Sequence, residues 1–214
     1  MVDSKALTGA DVEILARTTV YQGFFAIDEI RLRHRLFGGG WSGPVRRELF
    51  VRGESVGVLL YDPVARLVGL VEQFRVGALG ESAGPWQLEV VAGILEAGES
   101  HTEVARREVL EEAGITDIEL LPICDYLASP GGTDERIQLF CGLADLSGRG
   151  GIYGVEHDNE DILFHVLPEA AAMTALAEGR CNNSAAIICL QWLQLNQQRL
   201  RADTGRTATA GGGE

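Results

Sequence analysis

Alternating polar and apolar residues dominate the first quarter of the chain. Residues 19–36, TVYQGFFAIDEIRLRHRL, mix aromatic and β-branched residues with polar ones, which is typical of strands. The glycine-rich segment FGGGWSGP then predicts a turn, and residues 45–62, VRRELFVRGESVGVLLYD, return as further strand. This pattern predicts a long hairpin, with residues 1–52 forming a small N-terminal antiparallel β appendage.

Further along the chain, strand patterns alternate with helical ones. Two apolar runs joined by YDPVAR predict a hairpin, and residues 85–93, PWQLEVVAG, predict another strand. Strand patterns recur in IELLPICDYLAS, RIQLFCGLAD and DILFHVLP, and helical composition in PEAAAMTALAEG and NSAAIICLQWLQLNQQRL. Strands interleaved with helices predict an α/β or α+β layered domain with a mixed sheet over residues 53–201. The polar, glycine-rich residues 202–214 predict a flexible tail.

Charge and composition limit the classes of partner. The formal net charge is -13, and 46% of residues are hydrophobic, which is ordinary for a globular protein. Nucleic acids and anionic membrane surfaces are bound by basic patches, so we expect neither as a partner. The N-terminus lacks a secretion signal, no apolar run is long enough to span a membrane, and no cysteine pair has C-x-x-C spacing. These features predict a cytoplasmic protein with reduced thiols.

Residues 98–114, GESHTEVARREVLEEAG, contain five glutamates and predict a helix over residues 101–113. Ser100 followed by Glu103 fits a capping box at the start of this helix. Gly114 lies where a C-terminal glycine ends a helix. The remaining question is whether the glutamates form an ordinary solvated face or bind a cation.

The helical projection favours a cation. Ala105, Val109 and Ala113 form a stripe that we expect to be buried, with Glu112 and Glu108 within about 20° and 60° of Ala105. Carboxylates four residues apart are neighbours, and at ~5 Å and an effective dielectric near 20 they repel by roughly 3 kcal/mol. Such a pair beside a core is costly unless a cation neutralises it. Oxygen ligands select Mg²⁺, Mn²⁺ or Ca²⁺ rather than zinc.

Residues 93–115, GILEAGESHTEVARREVLEEAGI, match the Nudix box pattern G-x5-E-x7-R-E-U-x-E-E-x-G-U at every fixed position. The fixed positions are Gly93, Glu99, Arg107, Glu108, Val109, Glu111, Glu112, Gly114 and Ile115. The chain also resembles the bacterial ADP-ribose pyrophosphatase subfamily over nearly its whole length, as in the stretches YQGFF, RLRHRLF, VRRE, EQFR, WQLEVVAG, LASPGGTDER and DNED. The resemblance implies a Nudix α/β/α sandwich that hydrolyses a nucleoside diphosphate linked to another moiety.

The resemblance also implies a metal site. Glu108, Glu112 and the carbonyl of Ala92 would bind two or three Mg²⁺ ions per site, with Mn²⁺ as the alternative. Glu160, from the second acidic stretch, would complete the cluster when substrate is bound. Glu111 would assist catalysis from behind these ligands or from the edge of the metal cluster.

Four residues of the box would have structural roles by the same resemblance. Arg107 would pair with Glu99 and hold the loop before the helix rather than contact substrate. Gly93 and Gly114 are the fixed glycines at the two ends of the box. None of these residues is expected to react.

Residues carried over from the subfamily would also bind the substrate. Phe24 would stack on the adenine with Phe25 beside it, while Arg47 and Glu48 would reach in from a partner chain. The other substrate-binding positions are Arg52, Arg75, Ile94, Ser129, Pro130, Gly131 and Glu135. Taken singly, Phe24 also fits a strand core residue, Arg75 a surface charge, and the segment SPGGTDER an ordinary β-turn.

Asp158 occupies the position where the subfamily places a glutamate proposed as the general base. Aspartate is shorter by one methylene and reaches roughly 1.5 Å less, which is one carbon–carbon bond. Either the loop closes further, or Glu156, His157 or a metal-bound hydroxide takes this role.

The activity implied by the resemblance is hydrolysis of the diphosphate of ADP-ribose to AMP and ribose 5-phosphate. Members of the subfamily are homodimers that exchange their N-terminal β appendages and share their active sites. One alternative is a pyrophosphatase for another nucleoside diphosphate sugar, such as ADP-glucose or GDP-mannose. Another is a non-catalytic sensor of ADP-ribose, which the complete set of box glutamates argues against.

Overall fold

The computed structural model of this 214-residue chain describes residues 6–155 and 160–210, with side chains described as far as residue 202. The described residues separate into two compact units. The N-terminal unit contains the described residues up to Gly53 together with Leu127–Arg136. The main unit contains Glu54–Tyr126 and the described residues from Ile137 onward.

The N-terminal unit is built on a three-stranded antiparallel sheet in the order β1 (Val12–Gln22), β2 (Ala26–His34), β3 (Val45–Val51). A short 3-10 turn, Gly9–Asp11, precedes β1. The first strand begins at Val12 rather than at residue 19, because VEILART also adopts extended structure although it buries almost nothing. The alternation of apolar and polar residues that marks a half-buried strand is therefore weak in this segment.

Polar and cation–π contacts stabilise this small sheet. The buried Asp28 carboxylate accepts hydrogen bonds from the Thr19 hydroxyl, at 2.7 Å, and from Arg17 Nε. The hydrogen bond from Thr19, followed by that from Arg17, lowers the pKa of Asp28. At the β2–β3 turn the Arg35 guanidinium lies 4.4 Å from the centre of the Trp41 ring. Side-chain pairing therefore takes much of the place of an apolar core.

The main unit contains an eight-stranded sheet. Its principal order is β10-β11-β5-β4-β9-β8, with β6 paired to β5 and β7 paired to β4. The strands are β4 (Glu54–Asp62), β5 (Leu67–Phe74), β6 (Trp86–Glu89), β7 (Val91–Ile94), β8 (Glu119–Leu127), β9 (Arg136–Leu143), β10 (Gly151–Tyr153) and β11 (Ile162–Pro168). Strand β4 is buried on both faces, which explains its nearly continuous apolar run.

Helices cover both faces of this sheet. They are α1 (His101–Ala113), α2 (Glu169–Ala177) and α3 (Ser184–Ala210). Helix α1 contributes to one apolar cluster, with Val56, Val58 and Val71. The second cluster joins α2 and α3 to strand residues such as Leu59 and Leu70. The predicted fold class, an α/β/α sandwich with a mixed sheet plus an N-terminal antiparallel sheet, is confirmed.

Several element boundaries differ from those predicted. The single strand expected over residues 85–93 is two strands, since β6 pairs with β5 and β7 pairs with β4. The short strand β10 was not predicted, because it is only three residues long and begins with a glycine. The backbone of α3 is helical as far as Ala210, and the flexibility of residues 202–214 stays a prediction.

Two global features bear on the sequence predictions. Within the described ranges, no helix combines the length and the apolar character needed to cross a bilayer. The four cysteines are free thiols, and Cys141, Cys181 and Cys189 are buried.

Candidate active site

Helix α1 begins and ends where its sequence requires. The Ser100 hydroxyl accepts a hydrogen bond from the Glu103 N–H at 3.3 Å, and the Glu103 carboxylate accepts one from the Ser100 N–H at 2.8 Å. Gly114 ends the helix in the left-handed conformation, with φ 64° and its N–H donating to the Leu110 carbonyl. These two caps fix which residues of α1 face the sheet.

The expected buried stripe of α1 packs against the sheet. Ala105, Val109 and Ala113 have no exposed surface, and the neighbouring Glu112 is only 4% exposed. The Glu108 side chain is 12% exposed. The two carboxylates therefore lie in the margin of the core, as the helical projection predicts.

Both carboxylates lie against residues of strand β7. The Ala92 N–H donates to Glu112 Oε2 at 3.3 Å. A Cβ atom added to Gly93 would come within 1.8 Å of Glu108 Oε1, so the close approach of this carboxylate requires glycine. The first residue of the box thus makes room for one of its glutamates.

Burial makes both carboxyl groups poor acids in the absence of a cation. Burial, and next the charge of Glu108, raise the pKa of Glu112 to about 8, although the Ala92 N–H acts in the opposite direction. Burial also raises the pKa of Glu108 to about 7, and the charge of Arg107 opposes this shift. A divalent cation beside them would remove the penalty on ionisation, so the donor set fits a hard metal ion.

Arg107 binds three carboxylates of the box. Its guanidinium donates to Glu99 Oε1 at 3.3 Å, to Glu108 Oε1 at 2.7 Å and to Glu111 Oε2 at 3.3 Å. The pairing with Glu99 is the one expected from the sequence. The contacts with Glu108 and Glu111 were not expected, because a helical projection does not show how far a long side chain can bend around the helix.

The remaining residues expected at the metal site are only partly described. Glu160 accepts a hydrogen bond from the Val155 N–H at 3.4 Å, and its charge adds to the upward pKa shifts of Glu108 and Glu112. Asp158, together with the alternatives Glu156 and His157, lies outside the described residues. Among the side chains of residues 6–155 and 160–202, no three His, Cys, Asp or Glu are grouped so that they could hold a metal ion.

Arg75 follows strand β5 and pairs with a residue that the sequence did not single out. Its Nε donates to Glu89 Oε2 at 2.7 Å. Its charge also acts on Glu112 and lowers the pKa of that carboxyl, although burial and Glu108 outweigh it. A single glutamate within the apolar run LEVV was a signal that could have identified Glu89. Ile94, expected to bind substrate, ends β7 and is 39% exposed.

A second group of predicted substrate residues lies together in the N-terminal unit. Phe24 is 88% exposed and packs edge-on against Phe25, with ring centroids 4.7 Å apart. The Arg52 guanidinium lies 4.5 Å from the centre of the Phe25 ring. Arg52 Nε also donates to Glu135 Oε1 at 2.9 Å. Four of the predicted substrate residues therefore form one contiguous cluster.

The glycine-rich loop is held to the end of strand β3. The Phe50 N–H donates to the Gly132 carbonyl at 2.8 Å, and Asp134 accepts hydrogen bonds from the N–H groups of Arg52 and Gly53. The predicted substrate residues Ser129, Pro130 and Gly131 are exposed on this loop. Asp134 was missed by the sequence reading, although an aspartate after glycines in a turn is a recognisable loop anchor.

Arg47 and Glu48 are exposed on strand β3. Arg47 donates to the Arg46 carbonyl at 2.8 Å, and Glu48 lies 3.5 Å from the Arg46 guanidinium. Among the described residues, no hydrogen bond or ion pair joins either of them to Phe24 or Arg52.

The fold and the box helix together define a class of protein. The profile of the NUDIX domain family matches residues 51–203, and the chain belongs to this family. It is 49% identical over 191 residues to the ADP-ribose pyrophosphatase of Escherichia coli strain K12, covering 89% of this chain and 91% of that relative. It is 44% identical over 200 residues to the ADP-ribose pyrophosphatase of Haemophilus influenzae, covering 92% of each.

More distant matches share less of the chain. A GDP-mannose pyrophosphatase of Escherichia coli O1:K1 is 31% identical over 152 residues, covering 71% of this chain and 78% of that relative. A solved structure described as an ADP compounds hydrolase has a TM-score of 0.62 at 21% identity, covering 89% of this chain and 97% of the other. This last likeness concerns the fold alone.

Proposed function

We propose that this protein hydrolyses the diphosphate of ADP-ribose, releasing AMP and ribose 5-phosphate. The relatives that match about nine tenths of the chain, at 49% and 44% identity, are named ADP-ribose pyrophosphatases. The structural observation that carries the proposal is the pair Glu108 and Glu112, buried against Ala92 and Gly93 with raised pKa values. Such a pair is suited to hold a divalent cation against an anionic substrate.

Nudix ADP-ribose pyrophosphatases depend on divalent metal ions. We propose Mg²⁺, two or three ions per site with Mn²⁺ as the alternative, held by Glu108, Glu112, Glu160 and the carbonyl of Ala92. Bound Mg²⁺ neutralises charge on the diphosphate and lowers the pKa of water. Within the protein, the Arg107 guanidinium holds Glu108 in place, and Glu111 shares that guanidinium.

The other predicted residues would bind substrate and move the proton. The Arg75 guanidinium binds diphosphate oxygens, and Asp158 takes a proton from the attacking water, with Glu156 and His157 as the alternative bases. Phe24 and Phe25 present aromatic faces to the adenine, and the remaining polar contacts come from Arg52 and Glu135, with Ile94 and the loop residues Ser129, Pro130 and Gly131. The water oxygen bonds to one phosphorus, and the bridging oxygen leaves with the other phosphate.

We also propose a cytoplasmic homodimer that exchanges its N-terminal sheets, with Arg47 and Glu48 supplied by the partner chain. Support comes from strand β1, where Ile14, Val20 and Tyr21 are 60%, 57% and 62% exposed. Three exposed apolar side chains on one strand favour a surface that covers them. The test of this proposal is the mass of the protein in solution, which should be that of two chains.

A substrate panel tests the activity. The purified protein is assayed with Mg²⁺ on ADP-ribose, ADP-glucose and GDP-mannose, and kcat/KM is compared among them. We expect ADP-ribose to have the highest value, with AMP as the nucleotide product. A higher kcat/KM for GDP-mannose would move the protein to the other pyrophosphatase class, and binding of ADP-ribose without AMP release would identify a sensor.

A further inference from the structure

Glu89 is a carboxylate on the side of the sheet that faces helix α1. It lies in strand β6, opposite Val71 in the β5–β6 register. Directly opposite residues of an antiparallel pair lie on the same face. Val71 belongs to the apolar cluster that contains Val104 and Val109 of α1, so Glu89 points to this same side. The next pair in the register, Leu88 and Glu72, points to the other side.

The Glu89 carboxylate forms an ion pair with Arg75. The Glu89 side chain is 15% exposed, and Arg75 Nε donates to its Oε2 at 2.7 Å. A carboxylate so little exposed is costly unless it is paired, and an apolar side chain would fill the position without that cost. The presence of a carboxyl side chain here is therefore better explained by its contact with Arg75 than by stability.

Arg75 is held so that part of its guanidinium stays available. Its backbone N–H donates to the Pro85 carbonyl at 2.8 Å, which fixes the start of the side chain. The Arg75 side chain is 42% exposed. Within residues 6–155 and 160–202, its Nε has a hydrogen-bond partner, whereas its two terminal nitrogens have none. The two terminal nitrogens thus remain as a planar fork that matches two anionic oxygens.

The pair also lies close in sequence to the carboxylate site. Glu89 is three residues before Ala92, whose N–H binds Glu112, and four before Gly93, against which Glu108 packs. Strands β6 and β7 are separated only by Val90. The segment that orients Arg75 therefore continues directly into the segment that holds both box glutamates.

We propose that Glu89 is a positioning residue, which holds the Arg75 guanidinium at Nε so that both terminal nitrogens bind the substrate diphosphate. This inference rests on the proposed function. Without the Glu89 carboxylate, Arg75 Nε loses its hydrogen-bond acceptor on strand β6, and the side chain is free to adopt several rotamers. Substitution of Glu89 should therefore change the same kinetic parameter, kcat or KM, as substitution of Arg75 itself.

Glu72 offers a matched control in the same pair of strands. Its carboxylate accepts a hydrogen bond from His165 Nε2 at 2.7 Å and its side chain is 25% exposed, but it is on the face of the sheet opposite to Glu89. An ion pair that only stabilises the sheet would give Glu72 and Glu89 equal importance. Glu72→Gln should retain the wild-type kcat/KM.

The experiment is a double-mutant cycle in the full-length protein. Wild type, E89A, E89Q, R75A, R75A/E89A and E72Q are compared by kcat and KM with Mg²⁺, each on the best substrate of the three-sugar panel, and by thermal melting. We expect E89A to lower kcat/KM by about tenfold, less than the roughly hundredfold cost of a 1 Å misplacement, because Arg75 itself is retained. E89Q, which retains an oxygen to accept from Nε, should lose less, and E89A should add no further loss in the R75A background.

Each outcome decides between positioning and a general structural role. Full additivity of E89A with R75A, wild-type rates in E89A, or an equal loss in E72Q would overturn the inference. A wild-type protein that releases no nucleotide from any of the three sugars would overturn the proposed function and this inference together. Additive losses in an active enzyme would remove only the role of Glu89.

Discussion

The two units of this protein are stabilised in opposite ways. Every described residue of β4 from Val56 to Asp62 in the main unit is buried. In the described part of the N-terminal unit, the single buried side chain is Asp28, and β1 is exposed over nearly its full length. The main unit therefore supplies its own core, whereas the N-terminal sheet needs side-chain pairing and, as we propose, a partner surface.

The carboxylates of the two units differ in the same way. Asp28 has two hydrogen-bond donors and a lowered pKa, so its charge is already stabilised. Glu108 and Glu112 are buried with raised pKa values, and the described donors do not compensate. A charge that the fold leaves uncompensated indicates a ligand, and a compensated one indicates structure.

The largest expected effect comes from removing one uncompensated charge. Glu112→Gln keeps the shape of the side chain but removes one of the carboxylate oxygens that we propose to bind metal. We therefore expect kcat to fall about a thousandfold, which corresponds to a barrier higher by about 4 kcal/mol. The exposed Glu103→Gln on the same helix keeps its capping oxygen and should retain full activity. Steady-state kinetics with circular dichroism separate this loss from unfolding, and unchanged turnover in Glu112→Gln would contradict the assignment.

A second prediction concerns the exposed strand of the N-terminal unit. The double substitution Ile14→Glu/Val20→Glu places charge on the apolar surface of β1 and should halve the mass measured by light scattering. Val64→Glu, at an 80% exposed turn of the main unit, is the matched control and should leave the mass unchanged. A dimeric mass for the double variant would remove β1 from the interface.

Replacing a glycine by alanine should affect stability differently in the two units. Gly93→Ala brings a Cβ into the Glu108 carboxylate and must displace it, so we expect about 1–3 kcal/mol of destabilisation and a lower kcat. Gly131 has open space around its Cβ position, so Gly131→Ala should change the free energy of unfolding by less than about 0.5 kcal/mol. Denaturant unfolding of both variants measures the difference, and equal losses would contradict the contact at Gly93.

The smallest effect is a pH dependence of stability in metal-free protein. The folded-state pKa values of Glu108 and Glu112, about 7 and about 8, lie above the ordinary value of 4.5. The folded state thus retains protons that the unfolded chain releases, so stability falls as pH rises from 4.5 towards 8.

Glu112→Gln should remove much of this slope. With chelator present, the Tm of Glu112→Gln should match that of wild type at pH 5 and exceed it at pH 8. The difference should be about 2–4 °C for each kcal/mol by which the free energies of unfolding differ. Calorimetric melts at both pH values check this. A Tm difference that does not change with pH would show that burial does not disfavour ionisation of Glu112.

The sequence identified the box helix and its role in the fold correctly because several local signals agree there. The Ser100 and Glu103 cap, the stripe through Ala105 and Val109 and the terminal Gly114 are all set by contacts within one helix. Long-range contacts could not be predicted in this way. The pairing of Arg75 with Glu89 depends on the register of β5 and β6, and the tie between Arg52 and Asp134 joins residues far apart in the chain.

Strand boundaries failed where burial is weak or the strand is short. Residues 12–18 of β1 expose nearly every side chain, so no apolar alternation marks them. The split of the predicted 85–93 strand reflects a change of pairing partner at Val90, which leaves no mark on hydrophobicity. Local pattern thus predicted the class of fold and the buried face and caps of α1, whereas pairing between distant segments decided the strand boundaries and the long-range contacts.

Calorimetric titration of the purified protein with Mg²⁺, with and without a non-hydrolysable ADP-ribose analogue, tests the central claim most directly. At pH 7 we expect wild type to bind the ion and release protons, because binding ionises carboxyl groups that the fold keeps partly protonated. Glu112→Gln should bind far more weakly, while Glu103→Gln should match wild type. Indistinguishable isotherms for wild type and Glu112→Gln, under both conditions, would contradict the account.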